Sequence, residues 1–158
     1  MRSMAIAAAC AAIALGAFGT AQAQSSLSAQ LNGKVCAGSL SSDSGPGGAA
    51  TIAFGTDQAG RLTARLYFTH GAEAKQAMLQ AVATGAPDVK SLGDLGDASN
   101  IVVEGSRISF DRNGVSRGMI VPMRHFTLSY ADGQLIGGSV PVNAQGVANT
   151  LSLVCVTR

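Results

Sequence analysis

Over residues 61–69 apolar and polar side chains alternate one by one, with Leu62, Ala64, Leu66 and Phe68 on one parity and Thr63, Arg65, Tyr67 and Thr69 on the other. A period of two belongs to a strand with one buried and one wet face. Shorter stretches of strand character recur at 31–40, 50–54, 101–103, 107–110, 119–121, 126–130, 135–140 and 147–156. Turn formers separate them: SSDSGPGG over 41–48, TDQAG over 56–60, Glu104-Gly105, Asn113-Gly114 and Ala131-Asp132-Gly133. Residues 24–30 read as a polar lead-in and the Gly- and Asp-rich stretch 88–100 as a long loop.

One segment breaks the period. Ala74, Ala77, Met78, Ala81 and Val82 recur at helical spacing, and Gly85 and Pro87 follow, so the pattern predicts a helix over 72–83. About eight or nine short strands with one inserted helix make the chain mainly β, either a small antiparallel meander barrel or a two-sheet sandwich.

The N-terminus has a different character. Arg2 precedes an uninterrupted apolar run over 5–18, and Ala21 and Ala23 form an A-x-A site. Charged, apolar and cleavage regions in that order predict a secretory signal peptide over 1–23, removed to leave a single exported β-domain over 24–158. The expected destination is the periplasm or the exterior of a bacterial-type cell. After the leader no apolar run reaches the roughly 18–20 residues of a transmembrane helix.

Of three cysteines, Cys10 falls in the leader, so Cys36 and Cys155 remain for the exported chain. A cysteine pair in an oxidising compartment reads as a disulfide. This one joins the first strand to the last, which favours a sheet closed on itself.

Composition narrows the function classes. Hydrophobic residues are 47% and charged residues 13% of the chain, which excludes an intrinsically disordered protein. The net charge of +2 gives no nucleic-acid footprint. Arg107, Arg112, Arg117 and Arg124 cluster around Asp111; they read as solvated strand faces and turns, with a weak anionic-partner site as the functional counterpart. The lack of Trp, with Tyr67 and Tyr130 the only tyrosines, disfavours a sugar-stacking surface.

Residues 114–118 (GVSRG) match G-x-S-x-G, and His125 and Asp132 follow. A nucleophile elbow needs strand, sharp turn and helix, whereas the flanks here read as hairpin strands, and the order Ser, His, Asp is not that of the hydrolases. Asp88, Asp94 and Asp97 supply too few oxygens for a calcium loop and read as solvated. On a continuous strand Met119, Val121, Met123 and His125 would share a face; soft ligands of that kind suit Cu(I), but Met more often fills a core or rim. No metal, cofactor or catalytic residue is therefore assigned, and no motif identifies a family. Met123, His125 and Tyr130 are the candidate ligand-binding side chains.

The expected function is that of an exported, non-enzymatic β-barrel-like domain that binds a small ligand or an envelope or extracellular partner. The alternatives are a small serine hydrolase using Ser116 and His125, or a structural or accessory subunit of an envelope assembly.

Overall fold

The structure, a computed structural model, describes residues 26–42, 45–70, 76–77, 80, 84, 93–113, 115–116, 119–120, 122–142 and 148–158. The predicted signal peptide lies outside the described residues. So does most of the predicted 72–83 helix, of which residues 76, 77 and 80 are helical.

The described elements are a short helix α1 (Leu27–Leu31) and ten strands: β1 (Lys34–Ser42), β2 (Gly45–Thr56), β3 (Leu62–His70), β4 (Gly93–Glu104), β5 (Arg107–Arg112), β6 (Val115–Ser116), β7 (Met119–Ile120), β8 (Arg124–Ala131), β9 (Gln134–Pro141) and β10 (Asn149–Thr157). Eight of these close into an antiparallel barrel in the order β1-β10-β9-β8-β5-β4-β3-β2, and β6 and β7 form a separate two-residue hairpin between β5 and β8. The fold is thus the closed meander rather than the sandwich.

Closure rests on the pairing of β1 with β10, which runs unbroken from Lys34↔Thr157 to Ser42↔Asn149. Cys36 and Cys155 face each other directly in that ladder and form the expected disulfide. Two glycines tighten the wall. A Cβ on Gly38 would lie 2.1 Å from the Ser152 carbonyl oxygen, and one on Gly137 would lie 2.1 Å from that of Thr127. Neither strand could approach its neighbour so closely with any other residue.

An eight-stranded barrel has an interior just wide enough for side chains to fill, and here they fill it. Ile52, Leu66, Ile108, Phe110, Phe126, Leu128, Leu135, Leu151 and Leu153 alternate inward from their strands and are buried together. The predicted alternation in β3 holds, with Ala64 and Leu66 buried and Arg65 exposed. On the outer face of β1 and β2 a second small cluster buries Ala37 and Ala49 against Val156.

The two ends of the barrel differ. At one end α1 packs Leu27 and Leu31 into the core, its first turn capped by the Ser26 hydroxyl, which accepts from the Ala29 amide. The connections at this helix end are tight. Asp132 (φ 49°) and Gly133 (φ 75°) give the two-residue turn that matches strand twist, Gly105-Ser106 forms another, and Asp57 accepts from the Ala59 and Arg61 amides at 2.9 Å each to shape the third. At the opposite end, the loop end, lie the strand ends that the stretches 71–92, 113–123 and 142–148 and the short 43–44 join.

Three readings of the sequence change. Residues 24–30 are not wholly lead-in, because Leu27 and Leu31, four apart behind a serine cap, form α1. The SSDSGPGG stretch is not a loop throughout: β2 begins at Gly45. Residues 93–100 are strand, their alternation interrupted by bulges at Gly96 (φ 88°) and Asn100 (φ 52°).

Candidate functional site

The parity of each strand decides what faces the lumen. In β5, Ile108 and Phe110 are buried, so Arg112 is the next inward position; in β8, Phe126 and Leu128 are buried, so Arg124 precedes them on the same face. Arg112 and Arg124 are direct cross-strand partners, one step beyond the Phe110–Phe126 pair, whose rings stack at 5.1 Å with 14° between planes. Both arginines thus enter the barrel wall's inner face at the loop end.

Neutral groups among the described residues accept hydrogen bonds from both. Arg124 donates from Nε to the Ser139 hydroxyl at 3.0 Å and from Nη2 to the Ser139 carbonyl at 2.9 Å. Arg112 donates from Nη2 to the Pro122 carbonyl, while its Nε is buried with no hydrogen-bond partner. Burial first, and then the facing Arg124 charge, pull the Arg112 guanidinium below its ordinary value, and burial does the same for Arg124. A guanidinium stays protonated in either case.

On the outside of the same wall His125 pairs across the ladder with Asp111, its Nδ1 2.7 Å from Asp111 Oδ1. Asn100, held in left-handed geometry at the β4 bulge, donates from Nδ2 to the other carboxylate oxygen at 2.8 Å. The side chain of Asp111 is 17% exposed and that of His125 44%. With the carboxylate ionised, Nδ1 is the donor. The hydrogen bond from Asn100, followed by that from His125, holds the Asp111 carboxyl below the usual carboxylate range.

A depressed pKa contributes stability that is present above the unfolded value, about 3.9, and lost as pH falls through the folded one. Stability of the wild type should therefore drop on acidification below about pH 4. Asp111→Asn should be less stable at neutral pH and show a shallower acid limb, as read by thermal melts between neutral and acidic buffers. Parallel acid limbs would show that the Asp111 cluster carries no linkage.

The three candidate ligand-binding side chains do not converge. Met123, 38% exposed, lies in the segment between β7 and β8; because β7 ends at Ile120 and β8 begins at Arg124, no continuous strand aligns it with Met119 and His125. His125 faces outward, where it lines a shallow groove of about 330 Å³ with Thr127, Gly138, Val140 and Thr150. Tyr130 packs inward against the core, five residues along β8 from His125 and so roughly 17 Å nearer the helix end.

Ser116 lies on β6, opposite Met119 of β7. A strand follows it, not a helix. Asp132, the acid next in sequence after His125, sits in the β8–β9 turn at the far end, and Asp111 takes the place beside the imidazole.

A second groove, about 430 Å³, opens between β3 and β4, where the ladder stops at Arg65↔Asp97 and Leu62 and Thr63 stand apart from Ser99 and Asn100. Above this split Arg65 bridges Asp94 at 2.6 Å and Asp97 at 3.3 Å on the outer face. Among the described residues no three His, Cys, Asp or Glu side chains gather to hold a metal ion, and no helix is long and apolar enough to cross a membrane.

Sequence reasoning grouped Arg112 and Arg124 around Asp111 as solvated positions, with a weak anionic-partner site as the functional counterpart, but neither turned the two arginines inward nor paired Asp111 with His125. The signal for the arginines was the same alternation that placed Phe110 and Phe126, since each arginine stands two residues from a core aromatic. Asp111 gave no comparable signal, because its pairing with His125 depends on the register of two strands separated by another hairpin. Compared with known proteins, the chain matches no family model, no curated protein and no solved structure.

Proposed function

We propose that this chain is an exported, non-enzymatic barrel that binds a small ligand at its loop end. One observation carries this reading: the barrel's two ends are built differently. The helix end is sealed by α1 and short hairpins, whereas at the loop end lie the strand ends that every long connection joins, with two inward arginines. Ligand sites on barrels favour such ends, because loops carry recognition while the wall supplies rigidity. The core below is packed, so the ligand sits at the end rather than deep inside. Export is supported by the N-terminal pattern and by a Cys36–Cys155 bond of the kind that persists in oxidising compartments.

Native mass spectrometry of protein secreted by a bacterial host and purified without chelator tests both parts. The expected mass begins at Gln24 and carries an adduct that disappears on denaturation. An uncleaved chain would contradict export, and a bare mass in repeated preparations would contradict ligand binding.

A hydrolase is the second reading, favoured by the His125–Asp111 contact, which is the orienting half of a nucleophilic triad. Turnover of a generic ester that vanishes in Ser116→Ala would establish it. Unchanged or absent turnover would remove it.

A further inference from the structure

The barrel wall is closed but not evenly bonded. The β3–β4 ladder runs from Phe68↔Gly93 to Arg65↔Asp97 and stops, although β3 begins at Leu62 and β4 continues to Glu104. In an antiparallel ladder each residue aims its N–H and C=O to one side, and neighbours alternate. The Asp57 amide donates to the Arg61 carbonyl at 2.9 Å, so in the next pair, Thr56↔Leu62, the backbone groups of Leu62 turn away from β2 and toward β4. Across the split, β4 carries a bulge between Ser99 and Val102, and a bulge leaves its extra residue outside the ladder. Asn100 and Ile101 therefore stand unmatched by β5 and unreached by β3. Full closure normally removes strand edges; this wall keeps a short one on each side of the split.

We propose that the β3–β4 split takes an extended, uncharged peptide segment of a partner protein, which adds a short strand to the open edges. Three properties select that occupant. The backbone groups of Leu62 and of the bulge call for alternating N–H donors and C=O acceptors, and another extended backbone supplies both. Leu62, Ala98 and Ile101 pack against the core but are only partly buried, so the groove of about 430 Å³ has an apolar floor still open to a side chain from outside. Among its described lining residues the two charges, Asp57 and Arg61, neutralise each other at 2.8 Å, which favours a neutral segment over an ion. Strand alternation then sends one apolar side chain inward onto Ile101 and sets polar ones beside the exposed Thr63 and Ser99. This site lies toward the helix end and does not rest on ligand binding at the loop end.

Titration of the peptide acetyl-Thr-Val-Thr-Val-Thr-amide into ¹⁵N-labelled mature protein at neutral pH tests the site. Saturable amide shifts are expected at Leu62, Thr63, Asn100 and Ile101, while His125 and Thr150 beside the other groove stay in place. The same peptide with both valine nitrogens methylated keeps its side chains but loses two donors, and should not bind. Thr63→Arg, which puts a long side chain into the groove from an exposed position, should weaken binding by about tenfold or more, equivalent to about 1.4 kcal/mol. Thr150→Arg should leave it unchanged. Both variants change exposed positions and should melt close to the wild type, which separates lost binding from lost folding.

The absence of saturable shifts in the wild type would overturn the proposal, as would shifts centred on His125 and Thr150. Equal affinity for the methylated peptide would overturn strand addition, and equal affinity in Thr63→Arg would overturn the split as its place. A concentration-dependent dimer that binds no peptide and becomes monomeric in Thr63→Arg would put a second copy of this chain at the split and overturn the peptide assignment. Ligand binding at the loop end is read separately, by whether native mass spectrometry of the wild type shows a releasable adduct.

Discussion

Replacing both Cys36 and Cys155 by Ala is expected to cost about 2–5 kcal/mol and to lower Tm by roughly 10 °C or more. The bond closes a loop of 119 residues, and chain-entropy reasoning for a loop near that size gives about 4–5 kcal/mol. Its position adds a second effect. The two sulfurs join the strands whose pairing shuts the barrel, so their loss frees the one seam that links the chain's first and last strands. Alanine is small enough to occupy both positions without a clash, so the loss measures the crosslink rather than new strain. Reduction of the wild type should reproduce the shift in calorimetry. A double mutant that melts with the wild type would mean that the β1–β10 ladder holds closure without the bond.

Phe110→Ala should be the most damaging single truncation, by about 3–5 kcal/mol. Phe110 is fully buried, stacks on Phe126 and sits among Ile108, Leu128 and Leu151 in the lumen. A barrel wall bonded to itself on every side collapses poorly around a missing ring, so most of the cavity would remain. Urea denaturation followed by circular dichroism reads the effect as a lower midpoint at unchanged slope. Phe110→Leu should fall much closer to the wild type because it keeps most of the volume. A loss under about 1 kcal/mol would indicate a lumen that is not packed.

The fold was legible where local pattern and final environment agree. Leu62, Ala64, Leu66 and Phe68 announce β3 because a packed lumen lies on one side and solvent on the other. Asp132-Gly133 announces its hairpin because both residues tolerate the positive φ that a two-residue turn demands. Cys36 and Cys155 tie the terminal strands, a constraint that favours a closed sheet, while the choice between barrel and sandwich waited on the β1–β10 pairing.

The remainder depended on long-range facts. In β4 the bulges at Gly96 and Asn100 shift the parity, so Leu95, Ala98, Ile101 and Val103 all pack inward without alternating in the sequence. Helix α1 is five residues long and stands only because Leu27 and Leu31 enter the core, a contact invisible until the barrel exists to receive them.

The site was less legible than the fold. Arg112 and Arg124 look like solvated surface if judged by residue type. Strand parity places them inside, and the cost of that placement makes them informative. His125 was legible as a chemically interesting residue but not as the partner of Asp111. Met123 depended on a continuous strand through Met119 and His125 that the chain does not form, and Tyr130 faces the core toward the other end of β8.

The most direct test of the loop end as the binding end is amide chemical-shift mapping, with the molecule released from the native adduct titrated into ¹⁵N-labelled protein. The cross-peaks expected to move belong to Arg112, Arg124, Ser139 and Asn149, while those of Gly105, Gly133 and Lys34 at the helix end stay in place. Shifts concentrated at the helix end, or along the outer groove beside His125 and Thr150 with Arg112 and Arg124 unmoved, would contradict it.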